Sequence, residues 1–172
     1  MKGPLLSAAS QQGFDAISYL RITDQSGALK SMFVMGKSRL VPIKPTTIPR
    51  LELSAAVRAT RLDRISQNGL TLPIIESFFW TDSTCVLWYI KNQDKRFQTF
   101  VANRVATIHN ASSLSQWKYV NTQDNTADYS SSGALANSLQ HWIHRPNFLS
   151  SPPEMRPQRT TSMMSVLSED EP

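Results

Sequence analysis

One cysteine, six glycines and no long apolar run set the first limits on this chain of 172 residues. A lone Cys85 excludes an internal disulfide framework and any CxxC zinc site, and within TCVLW it reads as a small buried hydrophobe. No stretch is apolar enough to cross a bilayer, and the opening MKGPLLSAA is too short and polar for a secretory leader. The expected setting is therefore intracellular, cytoplasmic or nuclear. Acidic residues are also scarce, 13 against 18 lysines and arginines, for a formal charge of +5. From Ser151 onward Arg156 and Arg159 face Glu154, Glu169, Asp170 and Glu171, a net of −2, which leaves +7 on the body. That surplus suits a polyanionic partner, although solubility alone accounts for it nearly as well.

What is present is a 40% hydrophobic chain of about one domain. Phe14 to Ile22 reads as a strand, DQSG at 24–27 as a turn, Leu29 to Met35 as a second strand and Leu40 to Ile43 as a third. Pro49 opens a helix to about Ile65, closed by Asn68-Gly69, with Leu51, Ala55, Leu62 and Ile65 on its buried stripe. Ala56 and Ala59 flank Glu52 and permit close packing against a strand. Ser77 to Thr81 is a short strand that Asp82-Ser83 breaks into a helix reaching Asn92. Lys95 to His109 carries the clearest amphipathic spacing, on Phe97, Phe100, Val101, Val105 and Ile108. Trp117 to Val120 is a further strand, and Leu135 to Ile143 a last short helix. This is an α/β arrangement, a mixed sheet covered by helices over residues 1–149, followed by a tail at 150–172 whose composition predicts disorder.

Three carboxylates stand at ordered junctions: Glu52 in PRLELSAAV, Asp82 in FFWTDSTCVLW and Asp128 in NTADYSSSG. Each has a plain structural explanation, as a helix cap or a partner of the helix dipole. Together they come from distant segments that can meet beyond the carboxyl ends of the strands. Clustered carboxylates repel, and divalent cations such as Mg²⁺ or Mn²⁺ are the usual reason to tolerate them. The chemistry that follows is two-metal phosphodiester hydrolysis. Lys37, Arg39, Lys44, Arg50 and Arg96 are candidate phosphate contacts, each equally readable as part of a solvated face. His141 and His144 are three apart but have no third ligand nearby, so structural or surface roles are favoured. Trp80, Trp88, Trp117 and Trp142 read as core rather than base-stacking residues.

The segments SYLRI, FVMGKSRLVPIKPTTIPRLELSAAVRATRL, FFWTDSTCVLWYI, RFQTFVANRVATI, NTAD and WIHRPNFL closely resemble, in order over residues 7–149, the ribonuclease H-like domain of BEL/Pao-type retrotransposon Pol polyproteins. The resemblance implies a ribonuclease H-like fold with a mixed five-stranded sheet, its first strand cut short here. It implies hydrolysis of RNA in RNA–DNA hybrids, with metal-ligating catalytic carboxylates matching Glu52, Asp82 and Asp128. It also implies former reverse transcriptase and integrase neighbours that this chain lacks, so a detached or degenerate element fragment is expected.

The match departs at one position that matters most. The family's first aspartate stands in a DAS motif, and here Ala8 occupies its place. Asp15 falls seven residues later on a position usually glycine, too far along the chain to take over. Thr126 replaces the proline of the late motif and Ser132 an arginine, changes expected to remove only local stiffness and a charge. Impaired hydrolysis is thus the expectation. The alternatives are a non-catalytic nucleic-acid-binding remnant or a host protein-interaction module that docks through the acidic tail.

Overall fold

The computed structural model describes residues 2–9, 13–40, 46–71, 73–92, 95–127, 143 and 146–151, with backbone alone for 2–9 and Gly13. One sheet of five strands carries the fold: β1 (Lys2–Ala9), β2 (Gly13–Thr23), β3 (Leu29–Leu40), β4 (Glu76–Thr81) and β5 (Trp117–Tyr119). Their order is β3-β2-β1-β4-β5. The first three pair antiparallel, while β4 runs parallel to both β1 and β5. The helices are α1 (Ile48–Gly69), α2 (Thr84–Lys91) and α3 (Thr99–Ala111).

The β2–β3 turn forms as its residues dictate. Gly27 takes φ +82°, where a side chain would be strained, and an Asp24 carboxylate oxygen accepts from the Ser26 and Ala28 N–H groups, each at 2.9 Å. Beyond the turn, β3 is one continuous strand of twelve residues, not a strand followed by another at Leu40. Residues 36–40 pair with β2 to the end of Gly13↔Leu40, and as an exposed edge they need no apolar alternation. Residues 41–43 lie outside the described residues. The first strand, expected short, is eight residues long and pairs with β2 on one side and β4 on the other.

Alternation along the strands divides the core in two. Phe79 faces the helices, with Ala16, Leu53, Ala56, Leu62, Val86, Val105 and Trp117. Trp80, one residue on, faces the opposite side with Ile17, Tyr19, Val120 and Phe148. Phe79 stacks on Trp117 at 4.7 Å between centroids, which ties β4 to the short β5. The second face is closed by residues 146–151. Arg21 donates to the Ser151 carbonyl at 3.3 Å, Ser31 to the Leu149 carbonyl at 3.2 Å, and Phe148 and Leu149 are buried.

α1 starts with Pro49 in its first turn and runs four residues past the expected Ile65. Leu51, Ala55 and Leu62 are buried as their spacing predicts, but Ile65 is exposed. Polar residues take the buried positions of the last two turns because the sheet offers them partners. Asp63 accepts from the Ser77 hydroxyl at 2.6 Å and from Gln67 at 2.7 Å, and the Ser66 and Ser18 hydroxyls meet at 3.4 Å. α3 begins at Thr99, four residues later than expected, and buries Val101, Val105 and Ile108 while Phe97 and Phe100 are only partly covered. The expected helix at 135–143 and the tail at 150–172 fall largely outside the described residues.

Thr126, at the position expected to matter only for stiffness, has a packing role. Its hydroxyl hydrogen-bonds the buried Tyr19 hydroxyl at 2.9 Å. Burial pushes the Tyr19 phenol up to about 12, more than the Thr126 contact lowers it. An acid raised in the folded state is deprotonated first in the unfolded chain, so this contribution is intact below pH 10 and is lost as pH rises from about 10 to about 12. Loss of the Tyr19–Thr126 hydrogen bond in Tyr19→Phe should cost about 1 kcal/mol near neutrality. It should also flatten the fall of the urea midpoint between those pH values; an unchanged alkaline slope would remove Tyr19 as its source.

Candidate functional site at the carboxyl end of the fourth strand

The site grows from the β4–α2 junction. Thr81 ends the strand, Asp82 follows, and Ser83 caps α2 by accepting from the Val86 N–H at 3.2 Å. The Ser83 N–H in turn donates to the Thr81 hydroxyl at 3.2 Å, which closes the bend on itself. The Ser83 hydroxyl donates its own proton to the Glu52 carboxylate of α1. One hydroxyl thus links the second turn of α1 to the first turn of α2. Glu52 and the residue adjacent to Asp82 are in contact although 31 positions separate them. Asp82 is steadied from another side, its carboxylate accepting from the fully buried Asn125 amide at 3.1 Å. Asn125 also accepts from the Ala127 N–H at 3.3 Å, so the loop before Asp128 is anchored on Asp82.

Two of the three expected carboxylates, Glu52 and Asp82, therefore reach one end of the parallel pair, both half-buried. Asp128 lies outside the described residues, as do His141, His144, Trp142, Ser132 and Lys44. Among the described residues no three His, Cys, Asp or Glu side chains form a metal-binding group. The donors present are hard oxygens. Cys85 sits close enough to Glu52 to feel its charge, but burial first and then that carboxylate push its thiol up, so it stays protonated. This set fits an oxygen-preferring divalent cation better than a thiolate metal.

The register of β1 changes the reading of its missing aspartate. Ser7 is the last residue to pair with β4, on Thr81, so β1 reaches Ala8 where β4 gives way to Asp82. On its other side Ala8 is the direct cross-strand partner of Asp15. Residues so opposed share a face with Cβ atoms about 5 Å apart. Asp15 is fully buried and close enough to act electrostatically on Arg58. The seven-residue separation that seemed to disqualify Asp15 closes through the hairpin to a single cross-strand step. The signal was present in sequence as an acidic residue in the otherwise apolar run GFDAISYL.

The basic candidates divide. Lys37 and Arg39 lie exposed at the far end of β3 and line a cleft beside α1. Arg50 donates to the Gln98 side chain at 2.9 Å and lies 5.2 Å over the Phe100 ring. Arg96 is exposed ahead of α3. Trp80 and Trp117 are core residues as expected, whereas Trp88 is half-buried with the Lys95 ammonium 4.6 Å over its ring. No helix among the described residues is long and apolar enough to cross a membrane.

Residues 5–83 match the family described as Pao retrotransposon-like RNaseH-like domain, a span that holds Ala8, Asp15, Glu52 and Asp82. No curated protein matches. Among solved structures, the N-terminal RNase H domain of Rv2228c from Mycobacterium tuberculosis, determined as a fusion with maltose-binding protein, aligns over 81% of this chain and 96% of its own at 14% identity and a TM-score of 0.52. LC11-RNase H1 in complex with an RNA/DNA hybrid aligns over 80% and 98% at 17% identity and a TM-score of 0.49. The first likeness shows the fold, which is ribonuclease H-like.

Proposed function

We propose, for a chain whose residues 5–83 form part of a Pao retrotransposon-like RNase H-like domain, that its substrate is an RNA–DNA hybrid and its ancestral reaction the hydrolysis of the RNA strand. The observation that carries this reading is the Ser83 hydroxyl contact to Glu52, which brings the α1 carboxylate to the junction that presents Asp82. Glu52, Asp82 and Asp128 are the residues that would hold Mg²⁺ or Mn²⁺. When bound, such ions would activate a water and stabilise the leaving 3′ oxygen.

The chain's own contribution is positioning. Ser83 fixes one carboxylate and Asn125 the other, each through a hydrogen bond. Ala8 contributes no oxygen at the place where the sheet brings β1 beside Asp82. Hydrolysis is consequently slow, and binding of the hybrid outlasts it. That same alanine favours the second reading, a nucleic-acid-binding domain without catalysis.

Incubation of the chain with a labelled hybrid and Mg²⁺ or Mn²⁺ tests the proposal. Slow cleavage is expected, and Asp82→Asn should reduce it at least about 100-fold, the scale of losing one electrostatic element of a site. Cleavage that survives Asp82→Asn would sink the assigned site. No cleavage from a folded chain that still binds the hybrid would establish the second reading.

A further inference from the structure

A second basic surface lies on the other side of α1 from Glu52. Arg50, Arg58 and Arg61 stand at i, i+8 and i+11 with Ser54 between them, a stripe that 100° per residue sets roughly opposite Glu52. From Ser54 onward this stripe, with Arg58 and Arg61, forms one wall of a cleft of about 640 Å³, whose other walls are α3 and the end of the β2–β3 hairpin. Lys37, Arg39, Arg58, Arg61 and Arg104 line it, and among the described residues no lining residue is acidic.

Two of these guanidinium groups lie against aromatic faces. Arg104 lies 3.4 Å over the Phe100 ring and Arg58 4.9 Å over Phe14. Arg104 spends two donors on the Ser54 hydroxyl and the Phe100 carbonyl, each at 3.1 Å. The Arg58 Nε is buried and has no hydrogen-bond acceptor among the described residues. The charges work against one another as well. Burial and then Arg39 push the Arg58 guanidinium down, Asp15 opposes this, and Arg61 adds to it. Burial, Arg61 and Arg50 do the same to Arg104. Repulsion among these arginines, two of them partly desolvated, is relieved when an anion binds between them.

We infer that this cleft binds the phosphodiester backbone of one nucleic-acid strand, outside the segment that meets Glu52 and Asp82. From Ser54 to Ile65 the α1 wall of the cleft spans about 16 Å, over which one stacked strand presents about five phosphates. The planar forks of Arg58, Arg61 and Arg104 match phosphate oxygens, and the aromatic rings pre-orient Arg58 and Arg104. Because it lies across α1 from the carboxylates, the groove works whether or not the chain hydrolyses anything.

The test is fluorescence anisotropy in EDTA, so that cleavage plays no part. The probes are a blunt hybrid and the same hybrid with a single-stranded extension. Asn103→Glu puts a negative charge into the cleft from an exposed position on α3 and leaves intact the backbone carbonyl that accepts from Thr107. The second variant is Arg58→Gln with Arg61→Gln. Each should weaken binding about 10-fold at low salt, lower the log–log salt slope by about 1–2, and reduce the advantage of the extended probe. Lys30→Gln, an exposed lysine at the opposite end of β3 from Lys37 and Arg39, should leave that slope within about 0.5 of the parent; with cleavage silenced by EDTA, failure of the catalytic reading would not touch this result. If Asn103→Glu folds and binds as the parent does, the groove carries no strand. If inorganic phosphate competes as well as an oligonucleotide at equal phosphate concentration, a small-anion site replaces it.

Discussion

Ala8→Asp alone should lower the thermal midpoint in EDTA by roughly 6–12 °C, the effect of about 3 kcal/mol on a chain of this size. The cause is the register. Position 8 is the Cα partner of Asp15, which is fully buried, so the substitution sets two carboxylates on one face across a strand pair. Like charges so opposed cannot both ionise comfortably, and Asp15 already lies where water does not reach it. Millimolar Mg²⁺ or Mn²⁺ should recover much of the loss if the new carboxylate joins a cation site with Asp82. Ala8→Asp combined with Asp15→Gly restores both residues of the family pattern and should lose the penalty in EDTA, apart from up to about 1 kcal/mol for a glycine inside a strand. The double variant should cleave the hybrid at least about 100-fold faster than the parent. Equal midpoints for the single and double variants in EDTA would show that positions 8 and 15 do not share charge. Faster cleavage by the single variant than by the double one would show that Asp15 assists the site instead of obstructing it.

Asp15 also shows where the chain could be read from its sequence and where it could not. Spacing along the chain suggested that an acid seven residues from a lost one is irrelevant, but a hairpin maps sequence distance onto strand register. The apolar rhythm of α3, the Gly27 turn and the Ser83 cap were legible because each is decided by neighbours within a few residues. The β1 strand was harder, since GPLLSAA has little alternation and is held by pairing on both sides. At α1 the apolar count favoured Ile65, while the fold buries Asp63 and Ser66 because hydroxyls on β2 and β4 stand ready to bond them. Arg58 and Arg61 escaped notice for a related reason. Their helical spacing with Arg50 was visible, but the second wall formed by Arg104 exists only once α3 has packed against α1.

Ser83→Ala should destabilise the chain by about 2–4 kcal/mol and reduce any cleavage more than its distance from the chemistry suggests. The hydroxyl has two partners at once, accepting from the Val86 N–H and donating to Glu52. Removal of the acceptor frays the first turn of α2, which follows Asp82 directly, and removal of the donor releases the α1 carboxylate. Ser83→Thr keeps both bonds and should stay within about 0.5 kcal/mol of the parent. Glu52→Gln separates the two effects, because it weakens the charged bond and leaves the cap. A double-mutant cycle between Glu52→Gln and Ser83→Ala, read by urea midpoints, should give a coupling of about 1 kcal/mol or more. Zero coupling would mean that the hydroxyl serves α2 alone. Glu52 and Asp82 would then share one end of the sheet by packing, and the hydrogen bond that carries the functional reading would lose its weight.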